Sequence, residues 1–247
     1  NRFKYTITPG SDIYFVYNHN WVDDSGKYKT SSMLGAILTA SDLEPTLVIG
    51  GIVNKFNTNA ISGSGKIIVV EADEFDRSFL SLQPTIAAIT NLDLEHLDCY
   101  KNLEDLKSAF SQFANSVPFY GTVALYIDDT KSSSLISNIR RPIITFGISE
   151  DAYIRATNIK FNDTQSSFDL LINNVSKGNI ILNVPGEHNI KNALAAISIA
   201  HDLEISYKSI YNGLKQYIGV QVVTILIASS VMLAGPDKIF FPFKYFS

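Results

Sequence analysis

Short apolar runs separated by helix-period segments recur along this chain, and that alternation restricts the fold more than any other feature. TLVIG (46–50), KIIVVEAD (66–73), TIAAITN (85–91) and TVALYID (122–128) are continuous rather than alternating apolar runs, the pattern of strands buried on both faces. Segments 31–40, 102–117 and 189–203 carry helical spacing. In 102–117, Leu103, Leu106, Phe110 and Phe113 share one stripe behind Asn102 in the N-cap position. In 189–203, Ile190, Ala193, Leu194 and Ile197 do the same. Strand-then-helix order of this kind predicts an α/β fold, a mostly parallel sheet flanked by helices. Residues 142–183 depart from it: PIITFGI, DAYIRATNIKF, SFDLLIN and NIILNV follow one another through turn residues without a helix. They predict a small, largely antiparallel subsection appended to the sheet.

Composition narrows the function classes. Hydrophobic residues make up 46% and charged residues 18% of 247, enough for a sizeable core and too apolar for a disordered chain. Twenty basic against 24 acidic side chains give a net charge of −4, with no basic excess to neutralise phosphates, so nucleic acid is not an expected partner. Cys99 is the single cysteine, which excludes an internal disulfide framework and a cysteine-rich zinc site and suits a reducing, cytoplasmic setting. The chain opens on Asn1 without a secretory pattern and reads as a fragment or a processed chain. Residues 216–236 hold no Asp, Glu, Lys or Arg over 21 positions, a length that could cross a bilayer, but Thr, Ser and Gly dilute the run. It is read as an apolar tail, not a membrane span.

In open α/β sheets, ligands bind beyond the carboxyl ends of the strands. Glu71, Asp73 and Glu74 fall there after one predicted strand, and Asn91, Asp93, Glu95 and His96 after the next. Two acidic clusters at neighbouring strand ends suit a hard divalent cation shared with phosphate oxygens. Acidic residues that merely cap the following helices would produce the same pattern, and the spacing alone does not separate the two.

Four segments resemble, in order, the central domain of the Mur ligase family, and specifically its alanine-adding branch: RFKYTI (2–7), EADEFDRSFLSLQPTIAAITNLDLEHLDCY (71–100), FYGTVALYIDD (119–129) and PGEHNIKNALAA (185–196). The resemblance implies a P-loop-type ATP-binding domain over 12–219. It implies that 1–11 are a remnant of the junction with a UDP-binding domain together with the first strand, and that 220–247 form a divergent tail where a C-terminal domain is missing. The implied reaction is ATP-dependent amide-bond formation between UDP-N-acetylmuramate and L-alanine through an acyl phosphate, in peptidoglycan synthesis, with ATP and Mg²⁺ as cofactors. Glu71 matches the family's magnesium-binding glutamate and His96 the histidine that holds a second magnesium, so both are expected to be catalytic. Asn189 and Asn192 match the asparagine pair near the adenine, and their i, i+3 spacing puts them on one helical face. His188 is expected to pack in the first helical turn, and Cys99 to be buried and inert.

The phosphate loop departs from the family. Its G-T/S-H-G-K-T-T-T pattern aligns with Gly10 and Ser11 after RFKYTI, which makes most of 12–29 an insertion before the helix resumes at Thr30. A second alignment puts Gly26 and Lys27 on the family's glycine and lysine, again with Thr30 in the helix, but Tyr28 then replaces the first threonine. A phosphate cradle needs consecutive N–H groups and a lysine converging on one phosphate, so weakened nucleotide binding is expected. Two readings follow: the ATPase domain of an alanine-adding ligase, or a non-catalytic remnant of one.

Overall fold

A computed structural model describes residues 12–17, 29–53, 58–72, 75–92 and 99–221. Its centre is a parallel sheet built from β1 (Asp12–Tyr17), β2 (Thr46–Val53), β4 (Ile67–Ala72), β5 (Ile86–Ile89), β6 (Thr122–Tyr126) and β7 (Ile143–Gly147). Their spatial order is β2-β4-β1-β5-β6-β7. β3 (Thr58–Ile61) and β11 (Val220–Gln221) both pair antiparallel with β2.

The continuous apolar runs are explained by two cores, one on each face. Ile86, Ala88, Ala124 and Tyr126 face one core, whereas Ala87, Ile89, Val123 and Leu125 face the other. Period-2 geometry sends neighbours to opposite faces, so a strand covered on both sides has no polar position to spare. The first core is covered by α1 (Lys29–Thr39), α4 (Glu187–Asp202) and α5 (Tyr207–Gln216), and the second by α2 (Leu103–Ser116), while the one-turn α3 (Thr130–Ser133) follows β6. Phe79, on the 3-10 turn Phe75–Ser81, is keyed into the second core between Phe110 and Phe113, with ring centroids 5.2 Å from each.

α2 begins where the sequence predicts. The Asn102 side chain accepts a hydrogen bond from the Asp105 N–H at 2.9 Å, Glu104 and Asp105 sit in the first turn, and the chain leaves the helix just before Pro118. Leu106, Phe110 and Phe113 are buried, with Leu103 packed alongside. α4 carries the expected stripe but is buried nearly all round, because α1, α5 and the strands beyond β7 surround it. α5 was not anticipated; Gly213 lets it approach α1 so closely that a Cβ there would stand 2.5 Å from the Cα of Ile37.

Two expectations change. PIITFGI is not part of the antiparallel subsection: β7 pairs parallel with β6, and it feeds both cores, with Phe146 in one and Ile143 against the other. The antiparallel meander is β8 (Ile154–Phe161), β9 (Ser166–Ile172) and β10 (Val175–Leu182). β8 joins β7 in parallel through Phe146–Ile154 and Gly147–Arg155 only, so it begins where β7 ends and a short link suffices. Asn173 and Asn174, both left-handed at φ 48° and 60°, make the two-residue turn between β9 and β10. The second change concerns the stretch read as an insertion. Asp12–Tyr17, within that stretch, is the central strand β1, in register between β4 and β5. Residues 1–11 and the tail 222–247 lie outside the described residues. Among the described residues, no helix is long and apolar enough to cross a membrane.

Candidate nucleotide site

Two helices converge on the carboxyl edge of the sheet. α1 follows β1 and therefore starts at that edge. α4 runs antiparallel to β6 and is fixed at both ends: the Thr122 hydroxyl donates to Asp202 Oδ1 at 2.7 Å near the amino edge, and Lys191 Nζ stands 5.2 Å from the Tyr126 ring centroid near the carboxyl edge. The N-terminus of α4 thus points to the same edge as that of α1, bringing two positive dipole ends together. α4 opens at Gly186, whose φ of 103° no L side chain adopts comfortably and whose missing Cβ makes room for the His188 ring, as first-turn packing requires.

A buried polar seam joins the two helices. The Thr30 hydroxyl donates to Asn192 Oδ1 at 2.8 Å, and both residues are fully buried. One turn earlier, Asn189 donates through Nδ2 to the Pro185 carbonyl. Among the described residues, Asn189 Oδ1, Asn192 Nδ2 and the Oγ of Ser31, the residue after Thr30, are buried and find no hydrogen-bond partner. A buried polar atom without a hydrogen bond costs on the order of 1–3 kcal/mol, so three of them around one junction call for an explanation. Asn189 is not the N-cap; Gly186 holds that position and Asn189 lies inside the first turn.

Charged groups frame the seam. Lys191 pairs with Glu187 at 3.1 Å across one helical turn while lying over Tyr126. Burial alone would lower the Lys191 pKa, but the Tyr126 hydroxyl and Glu187 outweigh it, and the net shift is upward. Burial raises the Tyr126 phenol. At neutral pH the pair is an ammonium beside a neutral phenol. Asp128, two residues past Tyr126, accepts from the N–H groups of Ile148 and Ser149 at 2.6 and 2.9 Å and so fixes the turn after β7.

Of the expected site residues, Thr30, Asn189 and Asn192 come together at the seam. Glu71 lies at the carboxyl end of β4, in register with Val16 of β1, half-buried on the same edge. Gly26, Lys27 and His96 lie outside the described residues, as do Asp73, Glu74, Asp93 and Glu95. Asn91 bends its side-chain oxygen onto the Leu92 N–H at 2.8 Å. Among the described residues, no group of three or more His, Cys, Asp or Glu is placed to hold a metal ion. Cys99 is half-buried rather than buried, and its carbonyl accepts from Arg77.

Sequence reasoning missed Arg77, Tyr126, Asp128 and Lys191. Arg77, in a left-handed conformation at φ 60°, pairs with Asp105, bonds the Cys99 carbonyl at 3.1 and 3.2 Å, and covers the Tyr100 ring at 4.8 Å. It ties the turn after β4 to the residues that follow His96 in sequence. Only the Glu187–Lys191 spacing of i, i+4 offered a sequence signal for any of these contacts.

Comparison with known proteins agrees with this architecture. The family model described as the Mur ligase middle domain matches residues 25–200. The chain is 44% identical over 195 residues to the UDP-N-acetylmuramate–L-alanine ligase of Syntrophus aciditrophicus, covering 79% of this chain and 41% of that protein. It is 46% identical over 203 residues to the enzyme of the same name from Persephonella marina, covering 82% and 43%. Among solved structures, UDP-N-acetylmuramate–alanine ligase from Thermotoga maritima superposes with a TM-score of 0.72 at 25% identity, covering 85% of this chain and 46% of that one. The UDP-N-acetylmuramate:L-alanyl-γ-D-glutamyl-meso-diaminopimelate ligase from Neisseria meningitides shares the fold with a TM-score of 0.74 at 23% identity, over 86% and 68%. The chain spans about four-tenths of the length of the curated relatives it matches. With well over half of its residues matched by that family model on a sheet of the same plan, the chain belongs to the Mur ligase family through its middle domain.

Proposed function

We propose that residues 12–219 are the ATP-binding domain of a cytoplasmic ligase that joins L-alanine to UDP-N-acetylmuramate in peptidoglycan synthesis. The observation that carries the reading is the set of unpartnered polar atoms, Ser31 Oγ, Asn189 Oδ1 and Asn192 Nδ2, where the N-termini of α1 and α4 converge. Unpartnered donors and acceptors call for a ligand that brings its own, as a purine base does, and not for an apolar one. The likeness to proteins named as alanine-adding ligases points to the same chemistry.

In this reading the loop before α1, with Gly26 and Lys27, holds the phosphates at the positive end of that helix, and Asn189 and Asn192 hold the base. Glu71 and His96 are the residues that would hold magnesium. When bound, Mg²⁺ offsets the charge of the phosphates, which is most of what phosphoryl transfer requires beyond positioning. The γ-phosphoryl group passes to the substrate carboxylate, giving an acyl phosphate and ADP. The alanine amine then attacks the acyl carbon; the C–N bond forms, the C–O bond to phosphate breaks, and inorganic phosphate leaves. The chain's own part is to orient the nucleotide and to keep water from the transferring group.

The test is calorimetric titration with MgATP, followed by phosphate release in the presence of UDP-N-acetylmuramate and L-alanine. Saturable MgATP binding that weakens on Glu71→Gln supports the reading. Absence of binding at millimolar MgATP removes it.

A further inference from the structure

The turn that enters β6 carries the two most exposed large apolar side chains among the described residues: Phe119 is 83% and Tyr120 68% exposed. Their rings meet edge to face, with centroids 5.3 Å apart and planes at 87°, so ring faces remain open to solvent. The turn beneath them is firmly seated. The Gly121 N–H donates to the Pro118 carbonyl at 3.0 Å, and a Cβ on Gly121 would stand 2.0 Å from the Thr85 carbonyl oxygen at the entry to β5. Toward α2, Arg141 Nε donates to the Val117 carbonyl, and the Arg140 N–H donates to Asn115 Oδ1 at 2.8 Å. Toward α4, Thr122 holds Asp202 at 2.7 Å, and the exposed Glu204 follows two residues later. α2 covers one face of the sheet and α4 the other. The aromatic pair is therefore flanked by arginines on one side and by carboxylates on the other.

We propose that this turn is the centre of a two-fold interface between two copies of the chain, with the Phe119–Tyr120 pairs meeting at the axis and Arg140 of each copy facing Glu204 of the other. The flanking charges select the occupant. A flank of one sign alone would call for a partner of the opposite sign. Both signs on opposite sides of one apolar centre make a surface that is its own complement, because a two-fold rotation sets the basic side of one copy against the acidic side of the other. The rings offer about 300 Å² per copy, about 600 Å² in all, so the rim must supply as much again to reach the lower end of specific interfaces at about 1,200 Å². Such a dimer is weak, with a Kd on the order of 10–100 µM. The N-termini of α1 and α4 lie at the other end of the strands, so both candidate nucleotide sites stay open. The inference does not rest on the ligase reading.

The experiment is sedimentation velocity on the full chain as a function of concentration. The unaltered chain is expected to pass from monomer to dimer. Phe119→Ser combined with Tyr120→Ser should raise the Kd by about thirtyfold or more, the loss of one strong aromatic anchor or greater. Phe161→Ser, which removes a ring 52% exposed on the meander, should leave the Kd unchanged. Arg140→Glu alone and Glu204→Arg alone should each raise the Kd about fivefold, because the axis repeats every like-charge contact. An equimolar mixture of those two variants should restore it to within about twofold, since both contacts then join opposite charges. The charge variants keep the test if the serine variant is insoluble. A chain that remains monomeric at millimolar concentration overturns the inference and assigns the turn to another occupant or to none. A dimer that survives loss of both rings also overturns it, as does a mixture of the charge variants that associates no better than either alone.

Discussion

Phe79 joins the carboxyl edge of β4 to the second core, and its removal is the sharpest perturbation of that edge which leaves the polar seam untouched. The ring is 1% exposed and lies 5.2 Å from both Phe110 and Phe113, tilted by 41° and 58°. A phenylalanine buried to this extent takes about 150–250 Å² out of water, and truncation to alanine in a packed core costs about 3–5 kcal/mol once the residual cavity is included. With a urea m-value of about 3 kcal/mol/M for a domain of this size, Phe79→Ala should lower the unfolding midpoint by about 1–1.7 M. Phe79→Leu fills most of the volume and should cost less than half as much. The aromatic contribution is separable: a double-mutant cycle with Phe79→Leu and Phe110→Leu should return a coupling of about 0.5–1.5 kcal/mol. Equilibrium urea unfolding followed by circular dichroism reads all of these. A midpoint shift below about 0.3 M for Phe79→Ala would refute the view that the turn after β4 is held by the second core.

Three further outcomes follow from local contacts. Asn102→Ala removes the side-chain acceptor for the Asp105 N–H and should destabilise the chain by about 1 kcal/mol in the same unfolding assay. The Lys101 N–H and then Arg77 hold the Asp105 carboxyl below the usual aspartate range. Because the folded-state pKa is the lower one, the stabilisation is present above the unfolded-state pKa and is lost as pH falls through the folded value, so Arg77→Met should move the Asp105 midpoint upward in a carbon-13 NMR titration and weaken the acid dependence of stability. Asn174→Gly relieves a left-handed asparagine at φ 60° and should stabilise the β9–β10 hairpin by up to about 1 kcal/mol, read as a higher thermal midpoint.

Much of this architecture could be read from residue order because the two-sided burial of the parallel strands writes itself into continuous apolar runs, and because Asn102 and the Leu106–Phe110–Phe113 stripe obey helix rules without help from tertiary contacts. β1 was harder: DIYFVY follows Gly10 and Ser11, which matched the start of the family's loop, so the stretch read as insertion rather than strand. The parallel pairing of β7 was hidden because a short link to β8 normally signals a hairpin, and here the two strands are stepped instead. At the candidate site, Asn189 and Asn192 were visible as a pair on one helical face, whereas the bond from Thr30 to Asn192 was not. A bond between residues 162 positions apart is set by how α1 and α4 dock, and no local pattern encodes it. The Lys191–Tyr126 contact is hidden for the same reason, since it depends on α4 running antiparallel to β6.

The most direct measurement follows the side-chain amide signals of Asn189 and Asn192 by nitrogen-15 NMR while MgATP is added. Seating of the base on this pair should shift both NH₂ groups saturably and together, with the Asn192 pair moving more because its Nδ2 is the one without a partner. Saturable MgATP binding that leaves both asparagine signals in place would contradict it.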